Sequence, residues 1–143
     1  FIIMPNYIIK SHRTGTIYTQ PHLFILNKGL NSGKPQKEPF ANSFVIIFSN
    51  QEDAESVYWL ALSLCKSKFW HQFLVGSVIP FLKIQEFKSN FSKKVTEMLS
   101  DFENHQKNIK ALRLLEQKEA QFHQNINLIN DLRRVILHRY CNK

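Results

Sequence analysis

A chain of 143 residues has room for one domain, or for a small domain with an appendage. Its 43% apolar content and 12 Phe supply a core and exclude wholesale disorder, while 19 Lys+Arg against 11 Asp+Glu, a net +8, favour a polyanionic partner. Two lone thiols, Cys65 within an apolar helical pattern and Cys141 near the end, argue against a disulfide framework and point to the reducing cytoplasm. No apolar run approaches the ~18 residues of a membrane span. Phe1-Ile2-Ile3-Met4 is apolar but too short for a signal peptide, and Met4 is expected to be the natural start.

Residues 6 to 12 and 22 to 27 are short β-branched and aromatic runs, the first ended by Arg13-Thr14-Gly15 and the second introduced by Pro21; both read as strands. Lys28 to Asn42, with Gly29, Gly33, Pro35 and Pro39, reads as a long connecting loop. Ser43 to Ser49 is an almost wholly apolar run, the pattern of a strand covered on both faces. Asn50 reads as an N-cap, with Glu52 and Asp53 in the first turn against the helix dipole. The helix continues through Val57, Leu60, Ala61, Leu64 and Cys65 on one face. Phe69 to Leu74 predicts a shorter helix closed by Gly76, Val78-Ile79 a brief strand stopped by Pro80, and Ile84 to Phe87 a single helical turn.

From Ser92 onward there is no Gly and no Pro. Val95, Leu99, Phe102 and Ile109 follow helical spacing, and so do Phe122, Ile126, Ile129, Ile136 and Tyr140, with Leu132 beside them. The phase blurs at Leu112 to Glu116, which leaves open one long helix or a hairpin turning near residues 113 to 119. So narrow an apolar stripe needs a partner, whether a second copy in a coiled coil or a larger enzyme subunit. The expected fold is therefore α+β: a small mixed sheet with packed helices over residues 1–91, then a long helical arm or helical hairpin over 92–143.

Several catalytic signatures fail. Gly29 to Pro35 is one residue short of a phosphate-binding loop, has proline where magnesium needs a hydroxyl, and is followed by no helix. The six histidines lack metal-ligand spacing, so neither a metal nor another cofactor is expected. Glu86-Phe87-Lys88 gives a minimal nuclease-like Glu-x-Lys with no aspartate just upstream. No nucleophile sits with a base, and the chain is expected not to be an enzyme. What remains is the distribution of charge. Lys10, Arg13, Lys28, Lys34 and Lys37 lie in or beside loops, and Lys66 and Lys68 follow near Trp70, itself read as core. These are candidates for phosphate contact, with Asn31 and Ser32 as candidates for base edges.

The order strand, loop, strand, helix, then the aromatic helical stretch and Gly76-Ser77-Val78-Ile79-Pro80, resembles the target-recognition domain and spacer helix of type I restriction-modification specificity subunits. The matching positions are Tyr58, Leu62, Ser67, Phe69, Leu74, Gly76, Ser77, Ile79, Pro80 and Leu82. The chain is also similar to a family of short proteins from bacterial conjugative elements that share the segments Asn31 to Pro35 and Gly76 to Phe81. A full specificity subunit carries two recognition domains and two spacers, so the resemblance implies half a subunit. It implies a non-catalytic module that binds double-stranded DNA, the arm joining it to a second copy or to a larger enzyme. The alternative is a protein-interaction adaptor of a mobile element with no DNA contact.

Overall fold

The computed structural model describes residues 4–142, so the expectation placed on Phe1 to Ile3 lies outside the described residues. Among the described residues four strands form one sheet: β1 (Tyr7–Ser11), β2 (His22–Leu26), β3 (Pro35–Gln36) and β4 (Ser43–Phe48), in the spatial order β1-β4-β2-β3. Every pairing is antiparallel, which corrects the expected mixed sheet. The apolar run of β4 takes an interior place, where both faces are covered. The two-residue β3 corrects the reading of 28 to 42 as unstructured loop: Leu26 N donates to Lys34 O, and residues 27 to 34 become the turn of a hairpin.

Alternation sorts the strand side chains. Ile9, Leu23, Ile25, Phe44, Ile46 and Phe48 join the main core, while Lys10, Phe24 and Val45 share the opposite face. Tyr18, from the segment between β1 and β2, lies across that outer face. Its ring is 6.0 Å from Phe24, and its hydroxyl lies 3.0 Å from Nδ1 of buried His12.

Helix α1 (Gln51–Lys66) starts as its sequence dictates: the Asn50 side chain accepts from Asp53 N at 2.8 Å, and Asn50 Nδ2 donates to the Asp53 carboxylate at 3.1 Å. Val57, Ala61 and Leu64 are buried, whereas Leu60 and Cys65 lie at the margin of the buried stripe. Phe69–Phe73 is a 3-10 turn and ends in extended Leu74, so Gly76 opens the next loop and does not close a helix. Val78-Ile79 is a bend, not a strand; the bridging pair is Val75 with Phe81.

The larger correction is α2 (Ile84–Ser100), a full helix where one turn was expected. Phe87, Phe91, Val95 and Leu99 recur every fourth residue and are buried. They fill the centre of the core with Trp70, whose ring lies 4.9 Å from Phe87, while Phe87 and Phe91 stack at 5.1 Å. Asp101 leaves helical geometry, and α3 (Phe102–Cys141) follows as one continuous helix of 40 residues. This settles the choice between one helix and a hairpin. The compact units are Phe1–His105 and Gln106–Lys143, so the division expected after residue 91 falls inside α2, whose apolar residues belong to the first unit.

His105 couples the end of this unit to α1 through a 3.0 Å contact of Nε2 with the buried Ser56 hydroxyl. Burial pushes the imidazole below its ordinary 6.5, and the Ser56 hydrogen bond opposes this only in part. A histidine whose folded value is depressed binds protons more readily when unfolded. Its stabilising effect is complete above about pH 6.5 and is lost as the pH falls through the folded value. Thermal unfolding between pH 7.5 and 5 should therefore show a falling melting temperature, with a shallower fall in His105→Gln; equal slopes would refute the assignment.

Candidate nucleic-acid interface

The hairpin turn between β2 and β3 lies against the end of α1. Two glycines with left-handed backbone shape it, Gly29 at φ +89° and Gly33 at φ +96°. Ser32 N and Ser32 Oγ both bond to Gly29 O, the hydroxyl at 2.6 Å, and Gly33 N donates to Leu26 O at 2.7 Å. Gly33 presses on the indole of Trp70 so closely that a Cβ there would lie 2.7 Å from Cγ. His71 Nε2 bonds to Leu30 O at 3.1 Å from the other side; with a carbonyl as acceptor, that nitrogen carries the proton.

Between hairpin and helix lies a cleft of about 490 Å³, lined by Leu30, Asn31, Ser32, Lys34, Leu62, Cys65, Lys66, Lys68, Trp70 and His71. It brings together Asn31, Ser32, Lys34, Lys66 and Lys68, residues proposed from sequence in two separate stretches. None of its lining residues is acidic. Lys66 ends α1, where a cation complements the helix dipole. Lys68 follows in a left-handed conformation at φ 58°, the one described non-glycine residue with positive φ. That shape, usually given to glycine, carries a lysine at the cleft.

Two members differ from expectation. Ser32 is buried and its hydroxyl is engaged within the turn, so it shapes the loop and is not placed to read a base. Cys65, on the apolar face of α1 in the sequence pattern, is half-buried and lines the cleft; burial pushes its thiol up, with Lys66 and Lys34 pulling the other way. A thiol held protonated is a poor nucleophile. His71 was missed as a site residue, because nothing in Phe-Trp-His marks which ring faces out.

The remaining cations lie elsewhere. Lys10 Nζ stands 5.7 Å over the Tyr18 ring on the outer face of the sheet, and Arg13 is exposed in the turn that follows β1. Lys37 Nζ stands 5.8 Å over Tyr58 on α1. Lys28 bridges Phe81 and lines a separate hollow with Phe40 and Ile79. Glu86 and Lys88 fall in the first turns of α2, not on a strand.

In the second unit, Phe122, Ile126, Ile129, Leu132, Ile136 and Tyr140 are all exposed on α3, at 52% or more of their surface. Among the described residues no helix is long and apolar enough to cross a membrane.

The fold and its cleft define a small basic α+β protein with a cation-lined cleft and a long exposed helix. It belongs to a family of unknown function, DUF6943, whose model matches residues 9–139. No curated protein and no solved structure matches the chain.

Proposed function

We propose that the first unit is a non-catalytic module that binds duplex DNA by its phosphates, in the manner of half a restriction-modification specificity subunit. The observation that carries this reading is the convergence of Lys34, Lys66 and Lys68, with Asn31 and His71, on a cleft lined by no acid. A helix dipole accounts for Lys66 but not for Lys34, which comes from a different element. The acids of α1, Glu52, Asp53 and Glu55, fall within its first five residues, at the end away from the cleft, so the charges of this helix are separated along its length. Ammonium groups so placed neutralise phosphates and release counterions, while Asn31 offers an amide able to pair with a base edge.

Duplex titrations at rising salt test this. The logarithm of the association constant should fall linearly with the logarithm of salt concentration, by about 0.9 for each phosphate neutralised. Absent binding, or binding indifferent to salt, would refute the reading and leave the adaptor alternative.

The exposed face of α3 supports a second role, association with another copy or with a larger enzyme subunit. The Phe122, Ile126, Ile129 and Ile136 stripe has the spacing of a coiled-coil seam. Light scattering should give a dimer for the intact chain and a monomer for Ile126→Asp/Ile129→Asp. A monomeric intact chain would transfer the seam to a different partner.

A further inference from the structure

The loop Val75 to Phe81 presents apolar side chains to solvent from a rigid stem. Val75 and Phe81 exchange backbone hydrogen bonds at 3.0 and 2.9 Å, and Leu82 N donates to Asn27 O at 2.8 Å. Gly76 makes the turn at φ +101°, where a Cβ would lie 3.0 Å from Ile79 O. The tip is thus fixed, yet Val78 is 90% and Ile79 54% exposed. Such exposure on a braced tip is not explained by packing.

Its neighbours identify the occupant. Gly29 N donates to Pro80 O at 2.6 Å, so the tip leans on the same hairpin whose next residues, Leu30 and Asn31, line the lysine cleft. Lys28 bridges Phe81, and Lys83 follows two residues later. Lysine is depleted at protein interfaces, whereas apolar wedges beside phosphate-binding cations are how bending proteins open a base step.

Resting on the DNA reading above, we infer that Val78 and Ile79 form a wedge that enters between base pairs of a duplex whose phosphates lie in the cleft. The rigid stem means that the wedge is formed before DNA arrives. Insertion unstacks one step and kinks the duplex by about 20–90°.

The test uses a duplex carrying a dye at each end and 2-aminopurine at central steps, with the full chain and Val78→Ser/Ile79→Ser. Both side chains are exposed, so the variant should fold as the parent does. The parent should bring the dyes closer and raise 2-aminopurine fluorescence. The variant should keep the salt slope and bind within about tenfold of the parent, but leave the duplex straight. Parent binding without bend or unstacking, or equal bending by the variant, overturns the wedge and leaves the cleft reading intact. Absence of parent binding overturns both. Sedimentation of the parent, but not the variant, with phosphatidylserine vesicles in the absence of bending would assign the tip to a lipid surface and overturn the wedge as well.

Discussion

Gly33→Ala should destabilise the first unit by about 2 to 6 kcal/mol, through two costs that fall on the same residue. Any side chain at φ +96° carries strain of about 1 to 3 kcal/mol. The new methyl would also drive into the Trp70 ring, and overpacking a core costs a further ~1 to 3 kcal/mol. Trp70 is only 1% exposed and contacts Phe87 and Phe91, so the indole cannot retreat without disturbing α2. Against a total stability of about 5 to 15 kcal/mol for a domain, this is enough to unfold a marginal one. Gly29→Ala is the control. It has the same backbone sign at φ +89° but nothing within 4 Å of the added Cβ, so only the strain remains. Urea unfolding should place the two substitutions well apart; equal midpoints would mean that the Gly33 to Trp70 contact contributes nothing. Trp70→Leu combined with Gly33→Ala should cost less than the sum of the two single changes, since the smaller side chain makes room for the methyl.

That contact marks the limit of what the sequence conveys. The strands were legible because their composition is local: apolar β4 and the β-branched, aromatic run of β1 each declare themselves. Their pairing was not, because placing β4 between β1 and β2 is a choice made by distant residues. β3 escaped notice for a different reason. A two-residue strand that begins with proline has no pattern, and proline is accepted there because β3 is an edge strand. Helix α2 is legible only in part: the turn at Ile84 to Phe87 and the spacing from Val95 onward read as separate pieces, and Ser89, Asn90 and Ser92 between them carry no apolar signal, although they belong to one helix whose buried residues are Phe87, Phe91, Val95 and Leu99. The stripe through Val95, Leu99 and Phe102 likewise ran across Asp101, where the backbone breaks between α2 and α3. For the cleft, single lysines were visible and their meeting was not. Lys34 and Lys66 are separated in the chain by β3, β4 and all of α1, and only the packing of the hairpin on the helix end brings them together.

Replacing Lys34, Lys66 and Lys68 together with Gln should reduce duplex affinity by roughly 100-fold or more, if each lost phosphate contact is worth about 1 kcal/mol, and should lower the salt slope by roughly 3. The decisive comparison is with Lys10→Gln/Arg13→Gln/Lys37→Gln, which removes the same formal charge from sites away from the cleft. Long-range attraction falls equally in the two variants, so any excess loss in the first measures contact and not net charge. Equal losses would mean that affinity comes from the overall +8 alone and that the cleft has no special part. Lys68 gives a sharper version. Its left-handed backbone at φ 58° is unfavourable for a lysine and natural for glycine, so Lys68→Gly should raise stability by about 0.5 to 1 kcal/mol while weakening DNA binding. A residue kept for the fold would move both quantities in the same direction. A residue kept for phosphate moves them in opposite directions, and a melting curve and a titration on this one variant distinguish the two.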